Sequence, residues 1–386
     1  MFEAIHDVVL KILGGHLILS QVETIIAIVV GLLEGQQAGI AAIGRSMPGN
    51  ASEKSNINRV YRFVANPRVE VGKICEGMVK ALVTSGSRVL VATDWTEIGP
   101  LSVLVSAVVL ANGRAIPIFW TVVDTRVLRK RSTEVEHMRK LSRLLFGVRS
   151  VHVLDRGFDA GDFLRAIGHF CKYVVRASGG FKYRKATKSN LPNQSEFTNI
   201  DLFPVKRGRR HDLGQIEYTN AHKTKCRLVI FHDHQQKDRW ILTTNLYGPR
   251  RSEIVEFYAR RFRIEESFKD LKDLRNGFAL HGYRMSKPDH LSRLLAVMAL
   301  GYLIVSSCGH YGEENGLHRK LQGNTRDERE LATWRVGISA LRKGTVPVTE
   351  IKRRMKMLPE YIIWVPSARA RRARPASPNQ SDIAAA

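Results

Sequence analysis

VLVATDW, residues 89–95, is a short uninterrupted apolar run that closes on an aspartate. Runs of this kind, without polar alternation, form strands of a sheet covered on both faces. LSVLVSAVVL (101–110) and RAIPIFWTVV (114–123) follow, joined by Ala111-Asn112-Gly113, a strong hairpin signal. A helix is expected over Glu134–Phe146 and a strand over VHVLD (151–155). A second helix is expected over Asp159–Phe170 and an extended KYVVRA at 172–177. Strand, hairpin, helix, strand, helix, strand is the order of an α/β mixed sheet with helices packed on it. It is not the strict alternation of a dinucleotide-binding fold. No Gly-rich phosphate loop accompanies it.

Residues 1–75 read as helical, with apolar positions at helical spacing through Ile5–Leu13 and Ile25–Leu33. After Pro48-Gly49-Asn50, Ser52 can cap a helix carrying Ile57, Val60, Tyr61, Phe63 and Val64, with Lys54, Arg59 and Arg62 outward. Such a basic-faced set of helices reads as a DNA-binding domain, or equally as a helical cap on the next domain. Residues 76–177 read as the first part of the α/β core. Residues 178–248 read as a β-rich insertion with basic clusters KYRK (182–185) and KRGRR (206–210). Residues 249–364 return to the core and add C-terminal helices, one of them buried near 290–308. Residues 365–386 are a low-complexity basic tail expected to be disordered.

The chain has 386 residues, with 61 Lys and Arg against 36 Asp and Glu, a net charge of +25. That surplus calls for a polyanionic partner, and nucleic acid is the usual one. The apolar stretches Thr24–Leu33 and Leu294–Cys308 fall short of the ~20 residues of a membrane span and read as buried helices. The start lacks the basic region of a secretory signal. Cys75, Cys171, Cys226 and Cys308 are scattered and read as reduced core residues of a cytoplasmic protein.

YARRFRIEESFKDLK, residues 258–272, carries the chemistry. As one helix it places Tyr258, Arg261, Glu265 and Lys272 at about 0°, 300°, 340° and 320°. Phe257, Ile264, Phe268 and Leu271 form an apolar stripe beside them. A glutamate between cations at the edge of a buried face suits a metal beside a phosphate. An ordinary amphipathic helix with an Arg261–Glu265 pair is the plainer reading. Asp94 and Asp155 each end an apolar strand, where they could converge with Glu265 to hold Mg²⁺ through hard oxygen ligands. Each aspartate alone also fits a turn or a helix cap. His232-Asp233-His234 reads as a polar hairpin turn, and Asp124 as structural or supporting rather than as a metal ligand.

Tyr258, Arg261, Glu265 and Lys272 meet the pattern Tyr-x2-Arg-x3-Glu-x6-Lys, which resembles the signature of transposases of the insertion sequence four family, the transposon-ten and transposon-five kind. VLVATDWTEI (89–98) resembles that family's first aspartate strand and VHVLDRGFD (151–159) its second. RWILTTNL (239–246) is similar to the segment before the signature helix, and NINRVYRFVAN (56–66) to part of the N-terminal DNA-binding domain. The resemblance spans residues 40 to 285 in the family's order. It implies a ribonuclease-H-like fold with a β-rich insertion between Asp155 and Glu265. Asp94, Asp155 and Glu265 would then be catalytic ligands for two Mg²⁺ ions, with Mn²⁺ as a substitute. Tyr258, Arg261 and Lys272 would contact DNA phosphates, and Trp240 would stack on or displace a base. The implied reaction is cut-and-paste transposition: hydrolytic nicking, hairpin formation and opening, then strand transfer. The implied partners are double-stranded DNA at element ends and target DNA, a homodimer in the synaptic complex, and no membrane. The implied location is the bacterial cytoplasm, at the nucleoid when DNA is bound. The C-terminal tail matches no family dimerisation helix, and the first 40 residues match weakly. A ribonuclease-H-like nuclease without strand transfer, or a catalytically silent DNA-binding relative, are the other readings.

Overall fold

The computed structural model describes residues 2–111, 113–186, 196–234, 236–273, 277–280, 285–323 and 331–361, with side-chain surroundings given as far as 356. The basic tail at 365–386 and Asn112 of the expected turn lie outside the described residues.

Five helices open the chain: α1 (Phe2–Leu13), α2 (Leu19–Gly35), α3 (Ile40–Arg45), α4 (Glu53–Ala65) and α5 (Val71–Leu82). The Ser52 hydroxyl accepts from Ser55 N at 3.3 Å, the cap expected for α4. Val60, Phe63 and Val64 are buried, whereas Tyr61 faces outward beside Arg62. Helix α5 carries the helical region past residue 75, because Ile74, Cys75, Met78, Val79 and Leu82 continue one buried stripe.

The sheet follows. Strands β1 (Arg88–Ile98), β2 (Leu101–Val109) and β3 (Ala115–Asp124) form an antiparallel meander. The hairpin between β2 and β3 closes with Leu110 N donating to Arg114 O at 2.8 Å, and Gly113 takes the left-handed conformation there (φ +85°). After α6 (Arg131–Leu144), strand β4 (Arg149–Leu154) pairs parallel to β1. After α7 (Gly161–Gly168), strand β5 (Lys172–Arg176) pairs parallel to β4. Then come β6 (Lys182–Lys185), β7 (Thr198–Asn199), β8 (Arg210–Tyr218), β9 (Thr224–Phe231) and β10 (Trp240–Thr244). Strand β10 pairs antiparallel with β5, so the insertion continues the same sheet. Among the described residues the sheet has ten strands in the order β3-β2-β1-β4-β5-β10-β9-β8-β6-β7. A large mixed sheet flanked by helices is consistent with a ribonuclease-H-like transposase domain.

The chain ends with α8 (Arg251–Ala259), α9 (Arg263–Lys272), α10 (Pro288–Glu314), α11 (Leu317–Leu321), α12 (Thr333–Arg342) and α13 (Val348–Tyr361). Helix α10 extends well past the apolar stretch read in the sequence and, by length and composition, could cross a membrane. It is instead enclosed: nearly every residue from Leu291 to Gly312 is buried, against α2, α4, α5, α12, α13 and β3. One hydrophobic core therefore runs from α1 and α2 through α10 to one face of the sheet. The opposite face of the sheet holds a second core, roofed by α8 and the start of α9. All four cysteines are free and buried.

Helices α10 and α12 cross on glycines. A Cβ on Gly337 would lie 2.1 Å from Val305 O and 2.7 Å from Gly309 N. These are backbone atoms that cannot move aside. Gly337→Ala is expected to destabilise the chain by about 1–3 kcal/mol through overpacking, read from the urea unfolding midpoint. An unchanged midpoint would mean the helices do not cross here.

Candidate active site

Strand periodicity aims both aspartates the same way. Leu90, Ala92 and Asp94 share one face of β1, and Val151, Val153 and Asp155 the same face of β4 and its end. The parallel pairing runs to Thr93 opposite Leu154, so the two carboxylates stand side by side just beyond it. Asp155 does end its strand, at the start of a short 3-10 turn. Asp94 does not end β1, contrary to the sequence reading. The strand continues to Ile98 because β2 keeps pairing with it down to Leu101, after β4 has stopped.

The other face of β1 supports this position. Trp95 points away from Asp94 and donates through Nε1 to Glu134 Oε1 at 2.9 Å, while Arg131 binds Glu134 at 2.6 Å. Thr93, Ser106, His137 and Thr121 form a hydrogen-bonded chain beneath β1, β2 and β3, at 2.7, 2.9 and 2.8 Å. Burial pushes the His137 pKa down to about 3, so the imidazole is neutral and serves as a linker.

The signature segment is two helices, not the single one expected from its periodicity. A 3-10 turn, Arg260–Phe262, separates α8 from α9. The functional side chains still converge. Tyr258 is fully buried, with its hydroxyl 3.5 Å from Asp155 Oδ1. Arg261, 4 % exposed, donates to Asp94 Oδ2 at 2.9 Å and to Glu265 Oε1 at 2.7 Å. Burial opposes the Arg261 charge, but Tyr258, Asp94, Asp155 and Glu265 outweigh it and raise its pKa. Its Nε has no acceptor among the described residues. Asp94 is pushed up to about 6, first by burial; Arg261 lowers it, while Asp155 and Glu265 raise it.

Lys272 is half-buried beside the Phe268 ring, lining a shallow cleft of about 390 Å³ with Glu265 and Thr96. Burial lowers its pKa, against the pull of Glu97 and Asp94. Trp240 begins β10 and meets Tyr258 edge-on, ring centroids 5.1 Å apart. Every site residue expected from the sequence thus lies in one neighbourhood.

What sequence reading missed is the attachment of α9. Ser267 Oγ accepts from Ala115 N at 2.8 Å, and Arg263 donates to Leu110 O. Asp270 Oδ2 accepts from Arg114 Nε at 2.6 Å and from the Tyr302 hydroxyl at 2.8 Å. On the same helical wheel Arg263, Ser267 and Asp270 fall at about 140°, 180° and 120°. A second polar stripe opposite the first was the available signal.

Three carboxylates offer the oxygen donors that a hard divalent cation prefers, and Asp155 and Glu265 both act electrostatically on Asp94. The donor chemistry fits such an ion. Among the described residues, no group of three or more His, Cys, Asp or Glu side chains stands close enough to hold one. The Arg261 guanidinium bridges Asp94 and Glu265 and supplies their countercharge.

Asp124 caps the 3-10 turn after β3 and pairs with Arg126 at 2.9 Å, a structural role. His232 and Asp233 lie in the loop between β9 and β10, as expected of a hairpin connection.

No curated protein matches the chain. A family model described as a transposase DDE domain matches residues 120–303, a little under half of the chain. The matched span holds Asp155 and the whole 258–272 segment but starts after Asp94. DDE transposase domains generally use divalent metal ions and act on DNA. The match supports the chain as a DDE transposase.

Proposed function

We propose that this chain is a cut-and-paste DNA transposase of the insertion sequence four type. The observation that carries the reading is the linkage of Asp94 to Glu265 through Arg261, with Asp155 beside them under Tyr258. Asp94, Asp155 and Glu265 are the groups that would hold Mg²⁺, two ions with Mn²⁺ able to substitute. When bound, the metal would activate the attacking oxygen and stabilise the leaving one. The side chains around the acids prepare a polyanion site. Arg261 holds its guanidinium between Asp94 and Glu265, where it is proposed to act on a DNA phosphate by charge, its Nε, without an acceptor among the described residues, being itself buried. Tyr258 presents a hydroxyl at Asp155, and Lys272 brings an ammonium to the mouth of the adjoining cleft. Trp240 stands where an unstacked base could lie against its ring.

Nicking, hairpin formation, hairpin opening and strand transfer are all in-line attacks on phosphodiesters, so one site can serve each step. Helices α1–α4, with Arg59 and Arg62 exposed, are proposed to bind element-end DNA. Two protomers are proposed to act together on paired ends, in the cytoplasm.

Incubation with Mg²⁺ and DNA bearing the element's own ends tests the reading. Hairpin-ended excision and joined product are expected. Nicking alone would point to a nuclease without strand transfer, and binding without cleavage to a silent relative.

A further inference from the structure

The basic cluster KRGRR (206–210) lies away from the acids, yet a continuous run of side chains joins the two. Gly208 is left-handed (φ +74°), and its N–H donates to His232 O at 2.7 Å. That left-handed conformation favours glycine, whereas the His234 ring that a Cβ there would meet is exposed and can move aside. The turn places Arg209 and Arg210 opposite Arg250 and Arg251, at the start of α8, across a cleft of about 530 Å³. Five arginines and a single aspartate line it.

The aspartate is committed to Arg227, although Arg251 also acts on it electrostatically. Asp212 is held by Arg227 through both carboxylate oxygens, and Arg227 also donates to Pro249 O at 2.7 Å, fixing the wall of the cleft. Arg209, Arg210, Arg250 and Arg251 are exposed, and among the described residues none has a carboxylate within ion-pair distance. Four exposed guanidinium groups around one cleft concentrate positive charge there, which favours a polyanion.

Arg210 stacks on Phe231, its guanidinium 4.7 Å from the ring centroid. Phe231 is 6.2 Å from Trp240, Trp240 is 5.1 Å from Tyr258, and Tyr258 reaches Asp155. Arg210, Phe231 and Trp240 are directly paired across β8, β9 and β10, so all three project from one face of the sheet. Cations at one end and aromatic faces along the path are the features by which a strand of nucleic acid is held without regard to sequence.

We propose that the Arg209–Arg210–Arg250–Arg251 cleft is a phosphate clamp for the DNA strand whose phosphodiester lies at Asp94, Asp155 and Glu265. The clamp rests on the transposase reading and adds a second anchoring point to it. It fixes the strand on the insertion side of the active site, and the rings between the two points take the intervening bases.

The test is binding of the full chain, in EDTA, to a fluorescein-labelled duplex with a single-stranded extension, as a function of salt. Replacing all four arginines by glutamine is expected to weaken binding about 10-fold or more and to reduce the slope of log K against log salt by about 2 or more, at roughly 0.9 for each phosphate no longer neutralised. Arg209→Gln with Arg251→Gln, which spares the Phe231 stack and the residue capping α8, is expected to give about half that change in slope. Replacing Arg139, Lys140, Arg143 and Arg149 removes the same charge from exposed positions elsewhere, and should leave the slope within ~0.5 of wild type. A cleft variant whose slope matches that control overturns the clamp. Mg²⁺-dependent cleavage of the same DNA by the wild-type chain is read separately, so the clamp can fail while the catalytic reading stands. A wild-type chain that binds no DNA overturns both.

Discussion

Glu265→Gln is expected to abolish DNA cleavage while leaving DNA binding within about twofold of wild type. The substitution keeps the shape of the side chain and an oxygen able to accept from Arg261, whose bond to Glu265 is 2.7 Å. What it removes is the charge of one of the three carboxylates proposed to hold the metal. Loss of a metal-holding carboxylate should lower the rate by at least about 10³-fold, equivalent to ~4 kcal/mol of activation free energy. Mg²⁺-dependent nicking of end DNA is the measurement, beside a binding isotherm in EDTA. Cleavage at more than a tenth of the wild-type rate would remove Glu265 from the site. The same outcome is expected for Asp94→Asn and Asp155→Asn.

The second large effect concerns Arg261. Arg261→Met fits the buried volume but takes away the countercharge shared by Asp94 and Glu265. Breaking a buried ion pair by removing one partner costs more than the pair contributes, because the other charge is left uncompensated. Glu265 is 44 % exposed, so water screens its share, whereas Asp94, at 19 %, is better shielded. A loss of about 2 kcal/mol is therefore expected in EDTA. Mg²⁺ at millimolar concentration should restore part of it, since a cation that binds the folded acids stabilises by mass action. Urea unfolding with and without Mg²⁺ checks this. A loss that Mg²⁺ does not reduce would mean that Arg261 matters through packing alone.

Both effects depend on a geometry that was only partly written in the sequence. Asp94 and Asp155 were legible because each closes a continuous apolar run that reads as a buried strand. Glu265 and Arg261 were legible through helical phase, even though the continuous helix assumed for that phase is interrupted. Arg260-Arg261-Phe262 contains neither Gly nor Pro, so nothing local announces the 3-10 turn. The full length of β1 was hidden because β2, not β4, sustains it. Strand β10 had a readable sequence, but its pairing with β5 joins segments about 65 residues apart, and no local pattern encodes that. The anchoring by Asp270 was missed for a related reason: its partners Arg114 and Tyr302 are remote in sequence.

The continuation of the sheet through β10 has a practical consequence for shortening the chain. An insertion that hung from the core as a separate lobe could be cut at its neck. Here the cut would strip β10 from β5 and leave Lys172–Arg176 with its ladder groups bare on one side. Tyr173, Val174 and Val175 are fully buried, so that bare rim would be apolar as well as unpaired. Such a rim recruits other copies by strand addition. A trimmed protein lacking 178–248 is thus expected to aggregate rather than to survive as a minimal nuclease core. A viable truncation would have to keep Trp240–Thr244 and remove only strands beyond it.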